Sequence, residues 1–265
     1  MAQAKTNQKE TARAGRTGLR TGVFCVLAAA CVVLAIVLYS SGAEILQAWS
    51  SLAFAGAVGA CVLVSLSVVL NRVQYNVTGL KHTVNLAFTG MLAALVFVGF
   101  YLTIRLPGSV KAQVGFGNVF CIFSGLMLGP VYGGLSAGIG GFLYDLLNGW
   151  ADSSVTTLVT KFVMAFVCGL LAWGIQGRLL REDAHRHVGR VVLSAVCGSV
   201  AYSVLYLLNG FVEGALLGNA AGALQVILAE KLAVTLINAV IADVVAVPLF
   251  FAIRSALKRN HLAFV

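Results

Sequence analysis

Between Val114 and Trp150 the chain reads VGFGNVFCIFSGLMLGPVYGGLSAGIGGFLYDLLNGW, almost wholly apolar, dense in glycine, interrupted by Gly129-Pro130 and finished by Asp145 and Asn148. A water-soluble core gains nothing from so much glycine, which weakens helices and strands alike. Membrane helices do gain, because in lipid they associate through close backbone approach, and a small residue every fourth position permits it. Gly125/Gly129 and Gly134/Gly138 have that spacing. The stretch therefore predicts a tight helical hairpin turning at Gly129-Pro130. Its first member, residues 115–128, is short for a hydrocarbon core of ~30 Å.

The rest of the chain fits the same solvent. Of 265 residues, 60% are apolar and only 10% charged, which places the chain in the polytopic membrane class. A formal charge of +9 would suggest a nucleic-acid partner in a soluble protein. Here the cations gather in short segments between apolar runs, the pattern that sets membrane orientation, so no nucleic acid is expected. Lys5, Lys9, Arg13, Arg16 and Arg20 precede the run 22–39, which is too long for the apolar region of a signal peptide and is followed by a second run at 51–70. Arg72 and Lys81 return to the starting side. Further runs at 82–104, across the hairpin, and at 155–175, 191–211 and 223–251 make eight spans. The basic cluster Arg178, Arg181, Arg186 and Arg190 and the terminal Arg254, Lys258 and Arg259 fall on the same side, whereas the opposite side holds only Arg105 and Lys111. A multi-pass plasma-membrane protein with both termini cytoplasmic is expected.

That orientation assigns a depth to the polar residues. Asp145 and Asn148 close an outward-running helix, Lys161 lies two turns into the next, and Glu230 and Lys231 sit in the outer part of the last, so all five share the outer leaflet. Ionisable groups in spans usually face a bundle interior or a wet cavity. Lys231, Thr235 and Asn238 recur at i, i+4 and i+7, giving the last helix one polar stripe. The competing readings are lysines that snorkel to the interface or a plain Asp145–Lys161 ion pair. Two cations at one depth lead us to expect a small anionic or carboxylate-bearing ligand held by Lys161 and Lys231, with Arg105 or Lys111 assisting. Asp243 lies deeper on another face and receives no role.

Catalysis has little to stand on. Gly134-Leu135-Ser136-Ala137-Gly138 matches a nucleophile-elbow pattern, but that motif needs a strand–turn–helix setting and a partner base. No histidine falls well inside a span, and no Gly-Lys dipeptide exists for a P-loop, so any ATP must be hydrolysed by another subunit. The six cysteines lie in apolar runs without C-x-x-C spacing and read as small buried residues. His185-x-His187 lacks further ligands, and neither a metal nor a cofactor is expected.

Taken together, the small-residue span with Gly90 and Ala94, the loop with Pro107, the Asn118…Gly129-Pro130…Gly133-Gly134 hairpin, Asp145, Lys161 and the Glu230-Lys231…Asn238 helix resemble the substrate-binding S component of an energy-coupling factor (ECF) vitamin transporter. The resemblance covers 82–251. It implies an all-α, polytopic membrane fold: a six-helix substrate-binding domain, residues 79–256, preceded here by a basic tail, 1–21, and a two-helix segment, 22–72. It further implies capture of a water-soluble vitamin from outside, and assembly with a transmembrane coupling subunit and two ATPases. Arg105, Lys111, Asn118, Asp145, Asn148, Lys161, Glu230, Lys231 and Asn238 are the implied binding residues, with 105–113 as the cap. Ala87, Gly90 and Ala94 match the small-residue face through which the first helix of such subunits contacts the coupling subunit. The alternative is a self-contained secondary transporter or channel, with Asp145, Lys161, Glu230 and Asp243 along an ion path. No convincing repeat between the halves supports it.

Overall fold

A computed structural model describes residues 82–105, 113–174, 188–216 and 221–259. The tail and two-helix segment expected at 1–72, Lys111 and most of the basic cluster at 178–187 lie outside the described residues. The described elements are α1 (His82–Tyr101), β1 (Thr103–Arg105), β2 (Gln113–Gly115), α2 (Gly117–Leu147), α3 (Ala151–Trp173), α4 (Val188–Leu216) and α5 (Ala221–Arg259). Five helices are long and apolar enough to cross a membrane, and the chain is an all-α polytopic membrane protein.

Although α2 runs through 31 residues, it is two helices. Gly129 takes φ 79° and ψ −169°, a backbone state open to glycine, and Pro130 follows without an N–H to continue the ladder. The halves fold back on each other. Ser124 Oγ donates to Gly133 O at 3.0 Å, whereas nine residues along an unbroken helix would separate these groups by ~13 Å. The hairpin expected at Gly129-Pro130 is thus present, and the described bundle has six helical segments. Gly125 and Gly138 lie against the α3 backbone at Ala165 and Leu158, while Gly129 serves the turn.

This hairpin is the centre of the described bundle. It packs most extensively against α3 and then α1, and Ile122, Leu126, Met164, Val191 and Phe250 around it are fully buried. Outward-facing apolar side chains such as Leu86, Val200 and Val240 present a lipid-compatible surface. At the end near Gly129, Trp173 Nε1 donates to Leu126 O at 2.9 Å, and the buried Arg254 guanidinium stands 5.7 Å from the Trp173 and Phe250 ring centroids. These side chains pack the space beside the turn.

The other end is built differently. The first half of α2, 117–128, is only ~18 Å long, and it begins directly after a short antiparallel pair in which Thr103, Ile104 and Arg105 face Gly115, Val114 and Gln113. The sequence reading treated 105–113 as a plain loop and missed these strands. Their signal was there, Thr-Ile-Arg and Gln-Val-Gly on either side of the Pro107-Gly108 dipeptide, but three residues are too few for alternation to register. Because the half-helix stops short, space remains beneath the strand pair.

Candidate functional site

A cavity of about 460 Å³ fills that space, within the range of small-molecule sites. Its floor is the start of α2 at Gly117 and Asn118, its roof the strand pair at Thr103 and Gly115, and its walls come from α3, α4, α5 and the end of α2. Six of the residues singled out from the sequence line it: Asn118, Asp145, Lys161, Glu230, Lys231 and Asn238. The α5 stripe Lys231–Thr235–Asn238 faces it throughout.

Lys161 is buried at the base, where its Nζ donates to Asn118 Oδ1 at 2.6 Å. The same ammonium lies 3.6 Å from the Tyr202 ring centroid and 5.3 Å from that of Phe100. Asp145, at the end of α2, also lines the cavity and is near enough to act on its charge. Higher up, Lys231 Nζ lies 3.5 Å from Glu213 Oε2 and 5.3 Å from the Tyr206 ring. Both lysines therefore have protein partners for their charge. Their charge alone therefore does not specify an anionic ligand, since acids on the preceding helices, Asp145 and Glu213, lie within electrostatic reach.

Asn148 and Asp243 sit elsewhere. Asn148 does not line the cavity: it caps α2, and its Nδ2 donates to Tyr144 O at 2.8 Å and to the Tyr101 hydroxyl at 3.1 Å. Arg105 ends β1 opposite Gln113. Asp243 accepts a hydrogen bond from Ser199 Oγ at 2.9 Å across α4 and α5, away from the cavity. Ala87, Gly90 and Ala94 share an exposed side of α1, and a Cβ on Gly90 would meet nothing within 4 Å.

Sequence reasoning missed the aromatic walls. Phe100, Trp150, Tyr202 and Tyr206 all line the cavity, beside the α3 hydroxyls of Thr156, Thr157 and Thr160. Tyr202, Tyr206, Asn209 and Glu213 follow one another at spacings of four, three and four, a stripe as regular as that of α5. It passed unremarked because tyrosine in a membrane helix ordinarily reads as an interface anchor.

A long-range contact ties the roof to the wall. Gly115 N–H donates to Asn238 Oδ1 at 3.0 Å, linking β2 to α5 through a side chain. Replacing Asn238 with leucine removes an acceptor worth about 1 kcal/mol. Amide exchange in the peptide containing Gly115 should accelerate about fivefold, and unchanged exchange would show that the roof is held elsewhere.

A bundle with a polar and aromatic pocket under a strand-pair roof at one end describes a solute-binding membrane subunit better than a pore. Residues 81–255 match the model of the ECF-type riboflavin transporter S component family, and the chain belongs to that family. No curated protein matches the chain. The protein is accordingly the substrate-specific membrane subunit of an ECF-type vitamin transporter, and the self-contained ion-driven reading is not favoured.

Proposed function

We propose that the chain binds riboflavin in this cavity. The observation that carries the reading is the composition of its walls: four aromatic rings suited to a flat tricyclic ring system, next to threonine hydroxyls and the amides of Asn118, Asn209 and Asn238, suited to a polyhydroxylated side chain. Lys161, Lys231, Asp145 and Glu230 act as hydrogen-bonding groups with internally balanced charge, which suits a ligand that is neutral at pH 7. The cavity opens outward and both termini are cytoplasmic, as the distribution of Lys and Arg supports. The chain carries out no chemistry on the vitamin. A transmembrane coupling subunit and two ATPases supply the energy.

Titration of the purified protein with riboflavin, followed by quenching of flavin fluorescence, tests the ligand. Saturable one-to-one quenching is expected, with no competition from thiamine or biotin. Absence of quenching would overturn the assignment.

The exposed side of α1 is the proposed docking face for the coupling subunit. Gly90→Leu or Ala94→Leu fills the groove that a partner helix would enter. Co-purification with the coupling subunit and vitamin uptake should fall about tenfold or more, as expected for loss of a well-packed contact, while riboflavin affinity of the isolated subunit stays unchanged. Equal loss of affinity would mean that the face belongs to the binding unit.

A further inference from the structure

We propose that Gly210 is a positioning residue for the ligand: with Tyr206 and Glu213 it forms a seat on α4 that fixes where the Lys231 ammonium stands in the cavity wall. The inference rests on the reading of this cavity as the riboflavin site.

Lysine ammoniums do not stay in place by themselves. The stem is rich in rotamers, and fixing it costs conformational entropy. The Lys231–Glu213 pair, at 3.5 Å with side chains 19% and 39% exposed, is the kind of partly solvated ion pair that contributes little and does not hold a long side chain. Something else confines it. A Cβ added to Gly210 would fall 2.8 Å from Lys231 Cδ, 2.8 Å from Nζ and 3.3 Å from Cε. The outer half of the lysine therefore lies flat on the α4 backbone, in a slot that exists because residue 210 has no side chain.

The two flanks of the slot are one helical turn away on either side. Tyr206 precedes Gly210 by four residues and Glu213 follows by three, so all three share a face of α4. Tyr206 supplies a ring 5.3 Å from the ammonium, and Glu213 supplies the counter-charge. The atoms nearest that position all belong to the Lys231 side chain, so it is the side chain that answers a change at Gly210. Because the obstructed atoms are the far end of a flexible chain and not helix backbone, an alanine there moves the lysine without parting the helices.

The test uses four forms of the full chain: wild type, Gly210→Ala, Lys231→Met and the double variant. Riboflavin affinity should fall about tenfold in Gly210→Ala and by a similar factor in Lys231→Met, the size of one charge-assisted hydrogen bond. The double variant should be no weaker than Lys231→Met alone, because the seat has nothing left to position. A second readout needs no ligand: acylation of the Lys231 amine by a water-soluble active ester, quantified by peptide mass spectrometry, should rise several-fold in Gly210→Ala.

Wild-type affinity in Gly210→Ala, or additive losses in the double variant, would overturn the seat. So would failure of both Gly210→Ala and the double variant to fold, which would make Gly210 a packing residue. If the wild type binds no riboflavin, the assignment of the ligand fails. The acylation comparison then still decides whether Gly210 seats Lys231.

Discussion

Gly169→Val is expected to deprive the protein of its folded state, at a cost of about 3 kcal/mol or more, the upper end of what overpacking a close-packed interior produces. A Cβ at Gly169 would stand 2.6 Å from Gly129 C, 2.7 Å from Pro130 N and 2.9 Å from Gly125 O. All three are backbone atoms, and two belong to the turn on which the hairpin reverses. They cannot rotate aside. Nor can the turn shift easily, because Gly129 occupies a conformation that other residues adopt only under strain and Pro130 fixes the next φ. The cost should appear as loss of a monodisperse peak and of a cooperative thermal transition in detergent. Gly90→Leu is the matched control, since nothing lies within 4 Å of that position, and surface changes of this kind stay within about 0.5 kcal/mol. Equal melting temperatures for the two variants would refute the central role of the α2–α3 contact.

The contrast between Gly169 and Gly90 also shows what the sequence could and could not disclose. Gly129-Pro130 announced the hairpin because its chemistry is local: one residue permits the turn and the next forbids a continued helix. The stripe Lys231–Thr235–Asn238 announced a polar face for the same reason, as three side chains at helical spacing need no tertiary information. Which glycine meets a backbone and which meets open space depends on the rotation of each helix against its neighbours. Gly90 and Gly169 look alike in the chain.

Charge balance was hidden in the same way. The sequence offered Asp145 as a partner for Lys161, but it did not show the Asn118 amide that Lys161 meets across 43 positions or the Glu213 that Lys231 meets across 18. Asn148 was placed at the right end of the right helix. It lies just past the last turn, however, and its amide is spent on the helix terminus and on Tyr101. The aromatic walls went unread because a tyrosine's use, as membrane anchor or as ring for stacking, is set by the direction it faces.

Lys161→Met is expected to cost the protein both its ligand and part of its stability. The lysine joins three helices at the base of the cavity: its Nζ bonds Asn118 at the start of α2 at 2.6 Å and lies 3.6 Å from the Tyr202 ring centroid on α4, while its own backbone belongs to α3. Methionine matches its length and apolar stem, so packing is largely kept and the change isolates the charge. What remains is a buried Asn118 Oδ1 deprived of this donor and a buried Asp145 from which a balancing cation has been removed. Taking one partner out of a buried polar set costs about 3–5 kcal/mol, several times the value of the exposed pair at Lys231. Riboflavin affinity should therefore fall about a hundredfold, the consequence of losing roughly 2.7 kcal/mol of oriented interaction, and the melting temperature should fall with it. Adding Asp145→Asn removes the buried negative charge. That double variant should regain much of the melting temperature while its affinity stays low. Recovery of affinity together with stability would mean that Lys161 serves only to neutralise Asp145, and wild-type affinity in Lys161→Met would remove the lysine from the site altogether.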